Sequence, residues 1–341
     1  MMNAPLNSAR PFAWGVIGTG PAARDFTTDL QYVIERPCFV KAVLGPEGIE
    51  LEDFVERHNV PLSYTDMQTF LEESQVDAVF IAAPAPFRYA YAIRCLQGGV
   101  PVLCESPLAL NNTQATNLFE VSARTGVFLM GGMALRFLPS LYAVLSLLHT
   151  NSIGEVLSVK ASLSGKLPTD DNGQGALSEG GALLNFGSYP LFLCLFLLGE
   201  PLSVKATGRI APDGSDESCT CLLSYENGRY ASVECSLFPD LKNEAVITGR
   251  DGVITIREPW NEKTPGLTIA VNGEVIVRRE CNWEGKGVHF ETTEVIRCLE
   301  EGRTQSELMT HAMSLRLART LEDIRGQLHL GEIRPRATWG T

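Results

Sequence analysis

The chain has 341 residues, a formal net charge of −12, 45% hydrophobic residues and 20% charged ones. That length suits two domains rather than one hydrophobic core, and the composition is that of a folded globular protein. The acidic balance, with no basic stripe, excludes a nucleic-acid backbone or an anionic membrane as the main partner.

Residues 1–11 are short and polar and read as a loose tail without the apolar stretch of a secretory signal. From there to about residue 125, strand and helix signals alternate. Phe12 to Ile17 is a short apolar strand, followed by Gly18-Thr19-Gly20 and a helical stretch from Pro21. Phe39 to Leu44 is a second strand, with helices over Leu51 to His58 and Asp66 to Glu73. Val76 to Ala83 is nearly all apolar, as a strand covered on both faces should be. Arg88 to Gln97 is helical and stops at Gly98-Gly99, Val100 to Cys104 is a strand, and Asn112 to Thr125 is a helix ended by Gly126. Val127 to Met130 is the fifth strand, and the alternation predicts a parallel, doubly wound sheet.

Pro139 to Thr150 is helical, with Leu141, Val144, Leu145 and Leu148 on one face. The strongest apolar run, Tyr189 to Leu198, is far shorter than the roughly 20 residues of a membrane span and reads as a buried helix. Then the grammar changes. Asn227-Gly228, Asp251-Gly252 and Asn272-Gly273 each sit between strand-like runs and predict two-residue hairpin turns at positive φ. Seven strands follow from them: Val204 to Ile210, Cys219 to Tyr225, Arg229 to Leu237, Glu244 to Thr248, Val253 to Arg257, Leu267 to Val271 and Glu274 to Arg279. Helices from about His289 to Glu301 and from His311 to Gln327 close the chain. The expected division by pattern is residues 12–133 as an α/β domain on a doubly wound parallel sheet and 134–341 as an α+β domain on a mainly antiparallel sheet.

The first turn carries the clearest chemistry. Gly18-Thr19-Gly20-Pro21-Ala22-Ala23 spells G-x-G-x-x-A between a strand and a helix. Gly18 allows the tight turn, Gly20 lets the backbone approach a diphosphate, and Ala23 permits close helix-on-strand contact, while the helix N-terminus offers amide donors. A purely structural turn is the competing reading. After the second strand, Glu47 is placed to bind a ribose 2′-hydroxyl, or is merely solvated; no Arg in that stretch offers itself to a 2′-phosphate, so NAD is favoured over NADP. The nine cysteines are scattered, and the C-x-C of Cys219 and Cys221 is by itself neither a zinc nor a redox spacing; they read as small buried hydrophobes in a reducing cytoplasm. The five histidines lie far apart and give no metal pattern.

Several further segments carry a resemblance. Cys104-Glu105-x-Pro107, Phe128-Leu-Met130 with Arg136-Phe137-Leu138-Pro139, Ile153-Gly154-Glu155-Val156, Gly180-Gly181-Ala182-Leu183-Leu184, Gly287-Val-His-Phe-Glu291 and Leu321-Glu-Asp-Ile-Arg325 occur in order along the chain. Together with the glycine turn they resemble the Gfo/Idh/MocA oxidoreductases, nearest the branch of dimeric dihydrodiol dehydrogenase and glucose-fructose oxidoreductase. The resemblance implies hydride transfer between NAD or NADP and a hydroxyl or carbonyl carbon of a sugar-like or cyclic substrate. It also implies that residues 12–133 are a dinucleotide-binding Rossmann domain and 134–341 a substrate and dimerisation domain, whose large, open C-terminal sheet would form a homo-oligomer. It places Pro84, Glu105 and Arg136 beside the glycine turn in the cofactor site, and Ser106, Asn185 and Tyr189 at the catalytic positions.

The chain departs from the family at most of the chemical positions. The E-K-P lysine is Ser106, the aspartate four residues before the acid–base tyrosine is Asn185, the Arg after the second strand is Pro46, and the His four residues after Pro84 is Arg88. The acid and the Trp expected between Met130 and Arg136 are Gly131 and Ala134. Without a lysine cation beside it, a phenol keeps its ordinary pKa of about 10. Tyr189 then suits proton donation to a carbonyl better than proton removal from an alcohol. As alternatives, Tyr189 is a packed aromatic, Asn185 a helix cap and Arg88 a solvated side chain. Two functions follow: an NAD(P)-dependent reductase, or a catalytically impaired member acting as a nucleotide- or sugar-binding sensor, scaffold or partner subunit. Lys166 to Glu179 is the loop expected to carry specificity.

Overall fold

The computed structural model of the chain describes residues 10–166, 180–239 and 241–329. The expected tail, apart from Arg10 and Pro11, and the loop after Lys166 lie outside them. Two compact units emerge. Among the described residues, the first comprises 10–134 together with Glu284–Leu315, and the second Leu135–Trp283 together with 316–329.

The first unit is built on a six-stranded parallel sheet in the order β3-β2-β1-β4-β5-β6. Its strands are β1 (Phe12–Ile17), β2 (Cys38–Leu44), β3 (Leu62–Tyr64), β4 (Ala78–Ile81), β5 (Val102–Cys104) and β6 (Leu129–Gly131). The helices α1 (Pro21–Asp29), α2 (Ile49–His58), α3 (Met67–Glu73), α4 (Ala85–Gln97) and α5 (Asn112–Thr125) alternate with them. Every residue of β1 and β4 is buried, which is why these segments read as unbroken apolar runs. Phe26 stacks on Phe80 and meets Trp14 edge-on, locking α1 to the sheet. Asp66 caps α3 through the Thr69 amide, and Asn111 caps α5 through the Gln114 amide. The three-residue β3 has too few residues to show an alternation, and the sequence reading missed it.

Helix α8 (Val288–Glu300) belongs to this unit, although the expected boundary put it in the second domain. A buried carboxylate is one of its anchors there, beside the pairing of Glu300 with Arg36 and of Glu291 with the Met133 amide. Asp29, at the end of α1, accepts hydrogen bonds from the amides of Lys286, Gly287 and Val288 at 2.8–2.9 Å and faces His289 Nδ1 at 3.4 Å. It serves as the N-terminal cap that α8 lacks locally.

The second unit carries an eight-stranded sheet in the order β14-β13-β12-β11-β7-β10-β9-β8. Its strands are β7 (Val156–Ser164), β8 (Ser203–Ile210), β9 (Asp216–Ser224), β10 (Tyr230–Ser236), β11 (Ala245–Gly249), β12 (Val253–Ile256), β13 (Gly266–Val271) and β14 (Glu274–Glu280). Neighbours are antiparallel except β7 and β10, which run parallel at the centre. β7 escaped the sequence reading because the turn that leads into it, with Asn151 and Gly154 at positive φ, is not one of the two-residue hairpin dipeptides. Helices α6 (Pro139–His149) and α7 (Ser188–Leu198) belong here, and the apolar α7 packs on β7 and β10. Helix α9 (His311–Gln327) starts in the first unit and continues in the second.

Asn227 and Gly228, and Asn272 and Gly273, turn at positive φ as expected. Asp251-Gly252 does not. There the Arg250 and Asp251 amides bond the carbonyls of Glu155 and Ile153, so the turn is held by β7's approach segment instead of a left-handed pair.

Candidate active site

In the first unit the expected nucleotide residues, all but Arg136, which belongs to the second unit, lie at the carboxyl ends of the parallel strands, where open α/β sheets bind ligands. Gly18 leaves β1 with its amide on the Leu44 carbonyl, 2.8 Å away, and φ of +118°. A side chain there would lie 2.8 Å from the Ala82 carbonyl oxygen, so glycine is required by both conformation and space. Gly20 differs. A side chain on it would meet nothing within 4 Å among the described residues. Gly20 is also the N-cap of α1, Pro21 follows at the first position, and no side chain caps the helix. Thr19 is 1% exposed, and its hydroxyl makes no hydrogen bond among the described residues. Amides left uncapped, open space over Gly20 and an unsatisfied hydroxyl are what a diphosphate would fill, so the residues present fit a dinucleotide.

Ala22 and Ala23 form the first turn of α1, and Ala23 is fully buried against the sheet. Glu47 is exposed in the loop between β2 and α2. Pro84 is the residue that opens α4. Arg24, on α1, donates to the Thr19 carbonyl at 3.1 Å, and with Arg57 it helps hold the half-buried His58 below its usual pKa, after burial. The sequence reading assigned no cation to this side of the turn; the structure supplies Arg24.

Glu105 and Ser106 follow β5, and the Ser106–Pro107 bond is cis. The segment is gripped by Arg88, which donates to the carbonyls of Ala83 at 2.7 Å, Pro107 at 3.1 Å and Glu105 at 3.3 Å. Arg88 is therefore a clamp on the turn rather than a solvated helix residue. Behind it, Glu291 on α8 bonds the Met133 amide after β6. Burial and the charge of Glu105 push the Glu291 carboxyl up to about 8. Glu105 is raised as well, by burial against the opposing pull of Arg88 and the Ser106 amide. Nothing in sequence spacing marked Glu291 as chemical, because it lies 186 positions from Glu105 and only the fold brings them together.

The second unit holds Arg136, Asn185 and Tyr189. The chain enters α7 through Gly180-Gly181 and a π-helical turn, Leu183–Gly187. Gly181 has φ of +69°, and its missing side chain makes room for Asp216, whose Oδ2 accepts the Leu183 amide at 2.6 Å. Burial raises the Asp216 carboxyl to about 6 against that hydrogen bond. Asn185 Nδ2 donates to the Gly181 carbonyl at 2.7 Å. An ionised aspartate only accepts hydrogen bonds and could not make this contact, which gives the asparagine a local reason. Tyr189 is half-buried in the first turn of α7, one turn beyond Asn185. Arg136 is 7% exposed, with its guanidinium 4.9 Å from the Phe196 ring centre and 5.6 Å from that of Tyr142. Among the described residues, no group of three or more His, Cys, Asp or Glu side chains could hold a metal ion.

Residues 12–133 match the oxidoreductase family model with an NAD-binding Rossmann fold, and residues 142–255 match the GFO/IDH/MocA C-terminal domain. The chain belongs to the Gfo/Idh/MocA oxidoreductase family. Among the members of this family it resembles, trans-1,2-dihydrobenzene-1,2-diol dehydrogenase of Mus musculus is 28% identical over 321 residues, covering 92% of this chain and 95% of the relative. The Danio rerio enzyme of the same description is 29% identical, covering 92% and 96%. In fold, a 3-ketoreductase from Actinomadura kijaniata in complex with NADP and TDP-benzene superposes with a TM-score of 0.82 at 23% identity, covering 94% of this chain and 98% of that one. An Agrobacterium radiobacter oxidoreductase in complex with NAD+, L-tartaric acid and magnesium superposes with a TM-score of 0.78 at 18% identity, covering 95% and 98%. The Gfo/Idh/MocA fold accounts for both sheets and for the 3-2-1-4-5-6 strand order.

Proposed function

We propose that the chain is an NAD(P)-dependent reductase of a sugar-like or cyclic carbonyl compound. The observation that supports it most is the nucleotide cradle itself: Gly18 forced into its turn, open space over Gly20, and an uncapped α1. The amides of Ala22 and Ala23 and the Thr19 hydroxyl would hold the diphosphate, with Glu47 or Arg24 meeting the adenosine ribose. A bound nicotinamide supplies or accepts the hydride. Glu105 and Ser106, fixed by Arg88, would line the ring's side of the sheet, Ser106 offering a hydroxyl but no charge. Tyr189 would give its phenolic proton to the carbonyl oxygen as the carbon takes the hydride, leaving an alcohol, and water would return the proton. Asn185, tied to Gly181, would hold the turn that presents Tyr189.

The substrate class follows the relatives, named as dehydrogenases of a cyclic diol. No helix among the described residues is long and apolar enough to cross a membrane. Nine cysteines without a disulfide suit a reducing cytoplasm. The open face of the second unit's sheet would join two copies of the chain.

The test is fluorescence titration of NADH and NADPH, then oxidation of the bound nucleotide by a panel of cyclic ketones and keto-sugars. Micromolar binding with turnover that falls about 10²-fold or more in Tyr189→Phe is the expected result. Tight binding without turnover on any carbonyl or polyol would make the chain a ligand-binding member of the family. The specific feature behind that second reading is the Asn185–Gly181 bond, which occupies the family's acidic position with a neutral amide.

A further inference from the structure

Two acids from distant parts of the chain share one buried place in the first unit. Glu291 is 2% exposed, in the first turn of α8, with the Met133 amide on its Oε1. Met133 comes two residues after Gly131, which pairs with Cys104 at the end of β5. The two strand ends stay together beyond the sheet. The Gly132 amide donates to the Cys104 carbonyl at 2.6 Å, and a side chain on Gly132 would lie 3.2 Å from Glu105 Cα. This packing brings the Glu105 and Glu291 carboxyls into one cluster at the carboxyl ends of β5 and β6.

The surrounding charges are few. From α4, Arg88 reaches the Glu105 and Pro107 carbonyls and attracts the Glu105 carboxylate. The Cys104 thiol, pushed up to about 12 chiefly by burial, stays neutral. On α8 itself, His289 faces Asp29, and Glu294 is bonded to Arg297 and Ser306. From α9, His311 Nε2 lies on the Leu129 carbonyl at 2.8 Å, and burial holds this imidazole below its usual pKa. Among the described residues, the cluster thus has one cation, Arg88, and two acids. With one acid protonated it sums to zero; with both ionised it carries one negative charge.

We propose that Glu291, acting through Glu105, sets which redox state of the nicotinamide the nucleotide site prefers. The inference rests on the dinucleotide reading of the preceding section. The second half of a dinucleotide lies over the β4–β5–β6 side of a sheet with this strand order. The oxidised ring is cationic and the reduced ring neutral, so a net negative cluster favours the oxidised form. Ser106 contributes no charge of its own, and Glu291 is the group that changes the sum. Its carboxyl, held up to about 8 by burial and by Glu105, keeps the cluster neutral at physiological pH. In that state the site does not favour the oxidised ring, which suits a reductase. Glu291 is a positioning residue for charge; it has no need to touch substrate.

The experiment measures Kd for NAD+ and NADH by calorimetry on the whole chain between about pH 6.5 and 9.5, a window that brackets this carboxyl. In the native protein, affinity for NAD+ relative to NADH should rise about three- to tenfold across the window, as expected for one charge at several ångströms in a partly screened site. Glu291→Gln keeps an acceptor for the Met133 amide but cannot ionise, so its ratio should stay flat. Nucleotide binding with a flat ratio in the native protein, or a pH-dependent ratio surviving in Glu291→Gln, overturns the role of Glu291 alone. Absence of binding at every pH overturns this role together with the dinucleotide reading. Should the variant fail to fold, infrared difference spectra of the native chain between about pH 7 and 9.5 decide: loss of a buried carboxylic-acid band supports the proposal, and its absence overturns it.

Discussion

One methyl group separates two readings of the glycine turn. At Gly18 it would meet the Ala82 carbonyl at 2.8 Å in a backbone with φ of +118°, so Gly18→Ala damages the fold whether or not a nucleotide binds. The expected cost is about 1–3 kcal/mol, and it says nothing of function. At Gly20 the same methyl group would meet nothing within 4 Å among the described residues, and φ of −69° suits any residue. Gly20→Ala should therefore shift stability by no more than about 1 kcal/mol, the scale of an N-cap change. The space it fills is the approach to the amides of α1, so affinity for NADH should fall about tenfold or more, a loss of about 1.4 kcal/mol in binding. Thermal unfolding and fluorescence titration of the two variants separate a turn kept for folding from a turn kept for a ligand. If Gly20→Ala binds NADH as tightly as the native chain, the cradle is only structural.

Elements were legible in the sequence wherever one periodicity or one punctuation residue governs them. Helix α5 runs over Asn112–Thr125 as expected because Asn111 and Gly126 mark its two ends. Strands β1 and β4 stand out as buried runs. β7 and the π-helical turn before α7 did not show, since the turn into β7 at Asn151 and Gly154 is not a hairpin dipeptide and an inserted residue within a helix leaves no local mark. In the candidate site, the glycine turn and Glu105 were visible as motifs. The clamp by Arg88 and the burial of Glu291 depend on contacts that spacing does not encode. The same holds for the capping of α8 by Asp29, and this carries a prediction. Burial alone would raise the Asp29 carboxyl, but the His289 bond and the amides of Lys286 and Val288 overcome it and hold its pKa below the ordinary value. A carboxylate lowered in the folded state contributes stability that is complete above its unfolded pKa of about 3.9 and is lost as pH falls through the folded value. Asp29→Ala, which strips several buried amides of their partner, should cost about 2–4 kcal/mol at neutral pH. In urea titrations the gap between native and variant should close on acidification through that range; a gap unchanged down to the acid limit would refute the assignment.

For the whole molecule, the question is what an open sheet face is for. The second unit covers β7 and β10 with α7, and strand alternation sends Thr220 and Leu222 of β9 and Tyr230 and Ser232 of β10 to the other side. Leu222 is 46% exposed and Tyr230 38%. Eight strands about 4.8 Å apart, each about six residues long at about 3.3 Å, make a face on the order of 800 Å². That equals the roughly 800 Å² per partner of a standard interface, enough for two copies of the chain to bury each other's sheets about a two-fold axis. A carboxylate at the centre of such an interface would be stripped of water without a partner, at a cost of several kcal/mol. If the proposed joint is this face, the native chain should sediment as a dimer at micromolar concentration, and Leu222→Asp combined with Tyr230→Asp should leave a folded monomer with an unchanged circular dichroism spectrum. If the native chain is monomeric across the accessible concentrations, or the double variant remains a dimer, this face is not the joint. The second result would move attention to β14, whose Val275, Ile276 and Val277 are exposed along the sheet's edge.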